Sequence, residues 1–182
     1  MIRAGAILLA GLALVACDEG TAHDTPYAPG PDRGGAAVDG LLVGHRLMDA
    51  GEYDLAIDAY SRAALEHGMT PEILAGIGSA NLGLGRVVTA ERLLRQALDK
   101  DEKAPEIWNN LGVALMEQGE TAEAALVFRR AYALDNGESD SIRDNLRLAL
   151  EKTEKPDYDA PEDQPYKLVR RGSSDYLIRK IP

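Results

Sequence analysis

The sequence predicts an all-α solenoid: three stacked helix-turn-helix units, a C-terminal capping helix, and a tail that is either flexible or hairpin-forming. Three observations point there. Gly44, Gly78 and Gly112 recur at an interval of 34 residues, and so do Gly51, Gly85 and Gly119. Three more columns keep the same interval: Ala56, Ala90 and Ala124; Tyr60, Leu94 and Phe128; Ala63, Ala97 and Ala131. Within each unit an apolar stripe is followed by a glycine and then by a second stripe at helical spacing, such as Ala124, Phe128 and Ala131.

The amino terminus reads separately. It carries one charge, Arg3, then an apolar run from Ala4 to Ala16, closing on small residues before Cys17. That is the layout of a secretory signal over 1–16, and its 13 apolar residues fall short of the ~20 needed to span a bilayer. Leu14-Val15-Ala16-Cys17 resembles the bacterial lipobox. The resemblance implies that Cys17, the sole cysteine, becomes the mature terminus and carries a thioether diacylglycerol, usually with a third chain on its amine. An ordinary signal peptide with a chance cysteine is the alternative. One acyl chain binds a membrane marginally, whereas two or three hold firmly. The acidic remainder gains nothing from anionic lipid, so the acyl chains would do the anchoring. Apart from this covalent lipid on Cys17, no cofactor is expected.

Residues 17–36 are rich in glycine and proline without an apolar period and read as a flexible tether, about 25 Å in root-mean-square span and ~65 Å when stretched. The repeat units follow as 37–70, 71–104 and 105–138. Gly51, Gly85 and Gly119 suit the left-handed residue that ends a first helix. Gly44, Gly78 and Gly112 lie inside the first helix, where glycine costs ~1 kcal/mol against alanine, so close contact between helix backbones is expected to offset it. Thr70-Pro71-Glu72 and Ala104-Pro105-Glu106 place proline in a helix's first turn, where its missing donor does no harm. Ile142, Leu146 and Leu150 echo Ile107, Leu111 and Leu115 at an offset of 35, which predicts a capping helix over 139–152. An acidic, proline-containing linker, 153–165, precedes a basic tail, 166–182. In that tail apolar residues flank RGSSD, and both a pair of short strands and a disordered segment fit the pattern.

Trp108, Leu111, Gly112, Leu115, Ala124, Phe128 and Ala131 together resemble the tetratricopeptide repeat, over about residues 37–152. Departures are Leu115 in place of a tyrosine, Glu102 and Asn136 where proline is common, and Gly40 where the third unit has Trp108. The resemblance implies a concave face lined by first helices, on which an extended peptide or a helix can lie. The family's register places Leu41, His45, Met48 and Asp49 of the first unit in that groove. Ala75, Ser79, Leu82 and Gly83 follow from the second unit, and Asn109, Val113, Met116 and Glu117 from the third. Met48, Leu82 and Met116 are all long and apolar, and the expectation is an open apolar stripe with an acidic rim at Asp49 and Glu117. The stripe's alternative is burial under a neighbouring helix, the cap or the tail. No lysine stands at these positions to clamp a ligand carboxylate.

A formal charge of -10 disfavours nucleic acid, because a phosphate-binding surface needs a dense basic patch. An enzyme needs converging groups, and none is visible. His23, His45 and His67 have no second histidine or cysteine at metal-ligand spacing, and the acidic pairs sit in linkers. Lipobox plus repeats is similar to the TadD-type lipoproteins of the Flp pilus system. This likeness implies a periplasm-facing envelope protein, on the inner or outer membrane, that binds a protein or peptide segment of an assembly such as a secretin. A generic envelope scaffold, a protein whose own tail enters its own or a second copy's groove, and an accessory to a peptidoglycan enzyme are the rival readings.

Overall fold

The computed structural model describes residues 38–154, 166–172 and 175–180. The signal segment, Cys17 and the tether lie outside the described residues, as do positions 155–165 of the acidic linker. Six helices form three antiparallel pairs: α1 (Gly40–Ala50) with α2 (Tyr53–His67), α3 (Pro71–Gly83) with α4 (Val87–Leu98), and α5 (Pro105–Glu117) with α6 (Thr121–Leu134). Helix α7 (Asp140–Glu154) packs on α6 and touches α5. It runs two residues past the predicted cap. Each helix otherwise packs on its neighbour in sequence, the arrangement of a solenoid.

The helix ends follow local chemistry. Asp39 accepts the Leu41 N–H at 2.9 Å and Thr70 Oγ1 accepts the Ile73 N–H at 3.2 Å, satisfying donors that the first turn leaves free. Gly51, Gly85 and Gly119 have φ of 77°, 72° and 82°, the left-handed conformation expected where a first helix stops.

The interior glycines act differently from the sequence expectation. A Cβ on Gly44 would lie 2.4 Å from the Tyr60 ring, one on Gly112 would lie 2.6 Å from the Phe128 ring, and one on Gly78 would lie 3.0 Å from Leu94. What first meets the missing Cβ is therefore the central side chain of the second helix of the same pair; at Gly78 backbone also comes near, with Ala90 O at 3.5 Å. Backbone comes closer at Gly40, where a Cβ would meet Ala59 O at 2.7 Å. Tyr60, Leu94 and Phe128 are 1%, 0% and 0% exposed. Each such burial contributes about 1.5–3 kcal/mol, more than the helix propensity that glycine forgoes.

The tail is a two-stranded antiparallel hairpin, β1 (Tyr166–Arg171) with β2 (Asp175–Lys180), in which Val169 lies opposite Leu177. Gly172 takes a φ of 68° where the chain leaves β1. Strand β2 packs on α5 and α7. Of the two readings of the tail, the paired strands are the one observed.

Gly112→Ala is expected to destabilise the fold, since overpacking a close-packed core costs about 1–3 kcal/mol and exceeds the gain in helix propensity. In a Phe128→Leu background the same change should cost less, because the ring is the obstacle. Denaturant unfolding of the four chains checks this, and an equal cost in the two backgrounds would exclude the ring.

Candidate functional site

First helices and the cap lie side by side, α1 by α3, α3 by α5, and α5 by α7, and their inner surface carries two adjoining features. One is an open cleft and the other is the seat of the tail hairpin.

The cleft has a volume of about 650 Å³ and runs across the amino-terminal halves of α1, α3 and α5. Leu41, Ile73, Ala75 and Ile107 supply its apolar lining, and Asp39, Glu72, Asp101 and Glu106 its acidic groups. No lysine or arginine lines it. Tyr60 reaches it from α2: its hydroxyl lies 3.2 Å from His45 Nδ1, and the two rings meet edge to face at 5.6 Å. His45 Nε2 lies 3.1 Å from Glu72 Oε1 in turn. Burial pushes the Tyr60 phenol up to about 12, with the Glu72 carboxylate adding to the rise and Arg170 opposing it. At the cleft's other end the Leu41 N–H holds the Asp39 carboxyl below its ordinary value, helped by His67.

The hairpin seat is polar where it meets main chain. Asn109 Nδ2 donates to the Tyr176 carbonyl at 3.2 Å and Asn145 Nδ2 donates to it at 2.6 Å, while Asn145 Oδ1 accepts the Ile178 N–H at 3.1 Å. Asn145 Nδ2 also reaches Asn109 Oδ1 at 3.0 Å, so the two fully buried amides act as one unit. The Tyr176 hydroxyl crosses to α3 and donates to Ser79 O at 2.7 Å. On the rim, Arg170 of β1 lies 3.4 Å from Asp49.

The residues expected in the groove divide among these features. Leu41, His45, Ala75 and Ser79 line the cleft. Asn109 holds the tail, and Asp49 pairs with it. Met48, Leu82, Val113 and Met116 are 0%, 1%, 0% and 7% exposed, so the predicted open stripe is instead sealed. They belong to one core with Tyr176 and Ile178 of the hairpin, and covering by the tail and adjacent helices accounts for their apolar character. Gly83 lies against the Tyr53 ring, and Glu117 is exposed. Sequence reasoning did not place Ile73, Ile107, Tyr60 or Asn145 at the groove, and although the family register turns the second residue of each unit inward, it left Glu72 and Glu106 at that position unnamed. Asn145 stands 35 residues after Asn110, the offset already linking Ile107 to Ile142, so its inward place could have been read. Among the described residues, no group of three or more His, Cys, Asp or Glu is placed to hold a metal, and no helix is long and apolar enough to cross a membrane.

A family model described as the tetratricopeptide repeat matches residues 41–91 and 76–139. No curated protein matches the chain by sequence. Among solved structures, the Sgt2 tetratricopeptide domain from Aspergillus fumigatus is similar at a TM-score of 0.60 and 24% identity, covering 74% of this chain and 95% of that one. The first such domain of Spaghetti (RPAP3), bound to the HSP90 peptide SRMEEVD, has a TM-score of 0.59 at 20% identity, covering 64% and 94%. MamA has a TM-score of 0.57 at 21% identity, covering 63% and 67%. At these identities the likeness is one of fold.

The Tyr60 phenol gives a pH test. Its folded-state value lies above the ordinary 10, so between pH 10 and about 12 the folded chain keeps a proton that the unfolded chain has lost. Stability should therefore fall as pH rises through that window, and fall less steeply in Tyr60→Phe. Urea unfolding at stepped alkaline pH measures it, and equal slopes for the two chains would contradict the buried placement of the phenol.

Proposed function

The chain belongs to the tetratricopeptide repeat family, and on that premise we propose that it is a non-enzymatic module that binds a partner segment in its concave cleft. The observation that carries this reading is the open cleft itself, in which three first helices present an apolar floor between acidic side chains. Such a surface suits a segment with apolar anchors and basic charge, because opposite potentials steer encounter and exclude partners of the wrong sign. The peptides held by two of the structurally similar domains, SRMEEVD and SGPTIEEVD, are rich in acidic residues. Asp39, Glu72, Asp101 and Glu106 would repel such a ligand, so the fold is shared and the ligand's charge is not.

The module is anchored by lipid on Cys17 in a bacterial envelope and faces the periplasm, with the tether holding the repeats clear of the headgroups. Its service is to position a segment of a pilus or secretion complex, a secretin subunit in the first instance, during assembly. Support for this finer reading comes from the lipobox-like LVAC and the pairing of a short signal with three repeats. A general envelope scaffold would use the same cleft for another partner.

A photo-crosslinking residue at Ala75, in the cleft, and one at Val88, exposed on α4, separate these possibilities in cells. The expected outcome is a membrane-associated adduct from position 75 that contains a pilus-export pore subunit and is absent from position 88. In Cys17→Ala the adduct should leave the membrane fraction. Identical adducts from the two positions would contradict the cleft, and a consistent adduct with an unrelated envelope protein would contradict the pilus assignment.

A further inference from the structure

Strand β2 is held in the groove by a device that reads main chain. In an extended strand, the carbonyl of one residue and the N–H two residues later project from the same edge, the geometry by which sheets pair. Asn145 meets that pair with its own amide, donating to the Tyr176 carbonyl and accepting from the Ile178 N–H. Asn109 adds a second donor to the same carbonyl. A helix offers no such edge, since its carbonyls and N–H groups are spent on one another. The seat is therefore specific for an extended segment, and Tyr176, whose hydroxyl reaches Ser79 O, sets its position along the groove.

The occupant is poorly settled for a part of the core. Two buried side-chain polar atoms among the described residues have no hydrogen-bond partner, Arg170 Nη1 and Asp175 Oδ1, and both belong to the hairpin. Burial pushes the Asp175 carboxyl up, opposed by the hydrogen bond that Ser141 Oγ donates to its other oxygen at 3.3 Å. Between the hairpin and α7 runs an open surface crevice of about 550 Å³, lined by Asp144, Arg147, Leu148, Glu151, Leu177 and Arg179. Unmet polar groups lower the free energy needed to lift the strand out, and the open crevice gives access to it along α7. The buried amides of Asn109 and Asn145 oppose leaving the seat empty, because their main-chain partners go with the tail. Exchange for another strand meets both conditions.

We propose that β2 is a releasable ligand held in cis, and that its seat binds an extended segment of the same design in trans: an aromatic residue followed two positions later by a β-branched apolar residue. The tail thereby shortens the groove to the open cleft. A longer partner gains the whole groove by displacing it. This assignment rests on reading the groove as a segment-binding surface, and it concerns the tail's seat rather than the cleft, so crosslinking at Ala75 can succeed where this fails.

The probe is a labelled synthetic peptide of residues 166–182, titrated against the full mature chain by fluorescence anisotropy. The chains compared are wild type, Tyr176→Ala and Ile178→Pro, the last lacking the N–H that Asn145 accepts. Each is first shown to keep its helical circular dichroism. A ligand competing with a seat more than nine-tenths occupied in cis suffers at least about a tenfold loss of apparent affinity. The peptide should accordingly bind one or both tail variants at least about tenfold more tightly than wild type. Adding Asn145→Ala to the variant that binds should abolish the interaction. Equal affinity for wild type and variants, or no binding to a folded tail variant, would overturn the proposal. Binding that survives Asn145→Ala would overturn the main-chain seat. A wild-type dimer that dissociates in Tyr176→Ala would place the strand in a second copy and overturn the cis assignment.

Discussion

Each helical pair depends on one steric fit: a glycine on the first helix admits the central buried side chain of the second. Tyr60, Leu94 and Phe128 occupy the space that a Cβ at Gly44, Gly78 or Gly112 would claim. This closeness buries the central side chain almost completely and flanks it with the alanine columns, which are themselves 0–1% exposed. A helix carrying a glycine is poorer on its own than one carrying alanine. The pair is better, because hydrophobic burial over the whole interface exceeds that local loss. Three repetitions of the same fit place first helices side by side, and the concave surface follows from that placement.

A stack of such pairs ends with an unsatisfied face, and here two elements deal with it. Helix α7 covers α6, while β2 covers the inner surface at the junction of α5 and α7. The second cover is unlike the first. Its apolar contribution, Tyr176 and Ile178, joins the common core, but its attachment also runs through buried amides and through a hydroxyl that reaches α3. Polar contacts of this kind are directional, so they select an extended backbone where apolar packing alone would accept many shapes. The groove is thus divided between a main-chain seat that is filled and an acidic, apolar cleft that is open.

Much of this was legible before the structure, because periodicity and punctuation are local. The 34-residue columns, the glycine stops with positive φ and the proline starts all depend on residues within one unit, and all appear where the sequence places them. The cap was legible through its 35-residue echo, with an end two residues early. What could not be read is what faces what across long separations. The interior glycines pointed correctly to close contact, yet only tertiary geometry shows that side chains of the second helix are what chiefly fill it. Met48, Leu82 and Met116 looked available because a single repeat does not need them apolar; Tyr176 and Ile178 of the tail, 60 and 62 residues beyond Met116, join the core that contains them. Of the groove positions, Leu41, His45, Ala75 and Ser79 line the cleft; of its acidic residues, Glu72 and Glu106 stand at the second position of their units, which the family register also turns inward, whereas Asp39 and Asp101 lie outside that register.

The central claim is that main chain of the tail is read by a side chain of the cap, and amide hydrogen exchange of the full chain by NMR tests it most directly. The account predicts that the Ile178 N–H exchanges on the order of a hundredfold or more slowly than an unstructured amide, and that Asn145→Ala removes this protection while α3 amides keep theirs. An Ile178 amide that exchanges at the unstructured rate in the wild-type chain, with the helices protected, would contradict it.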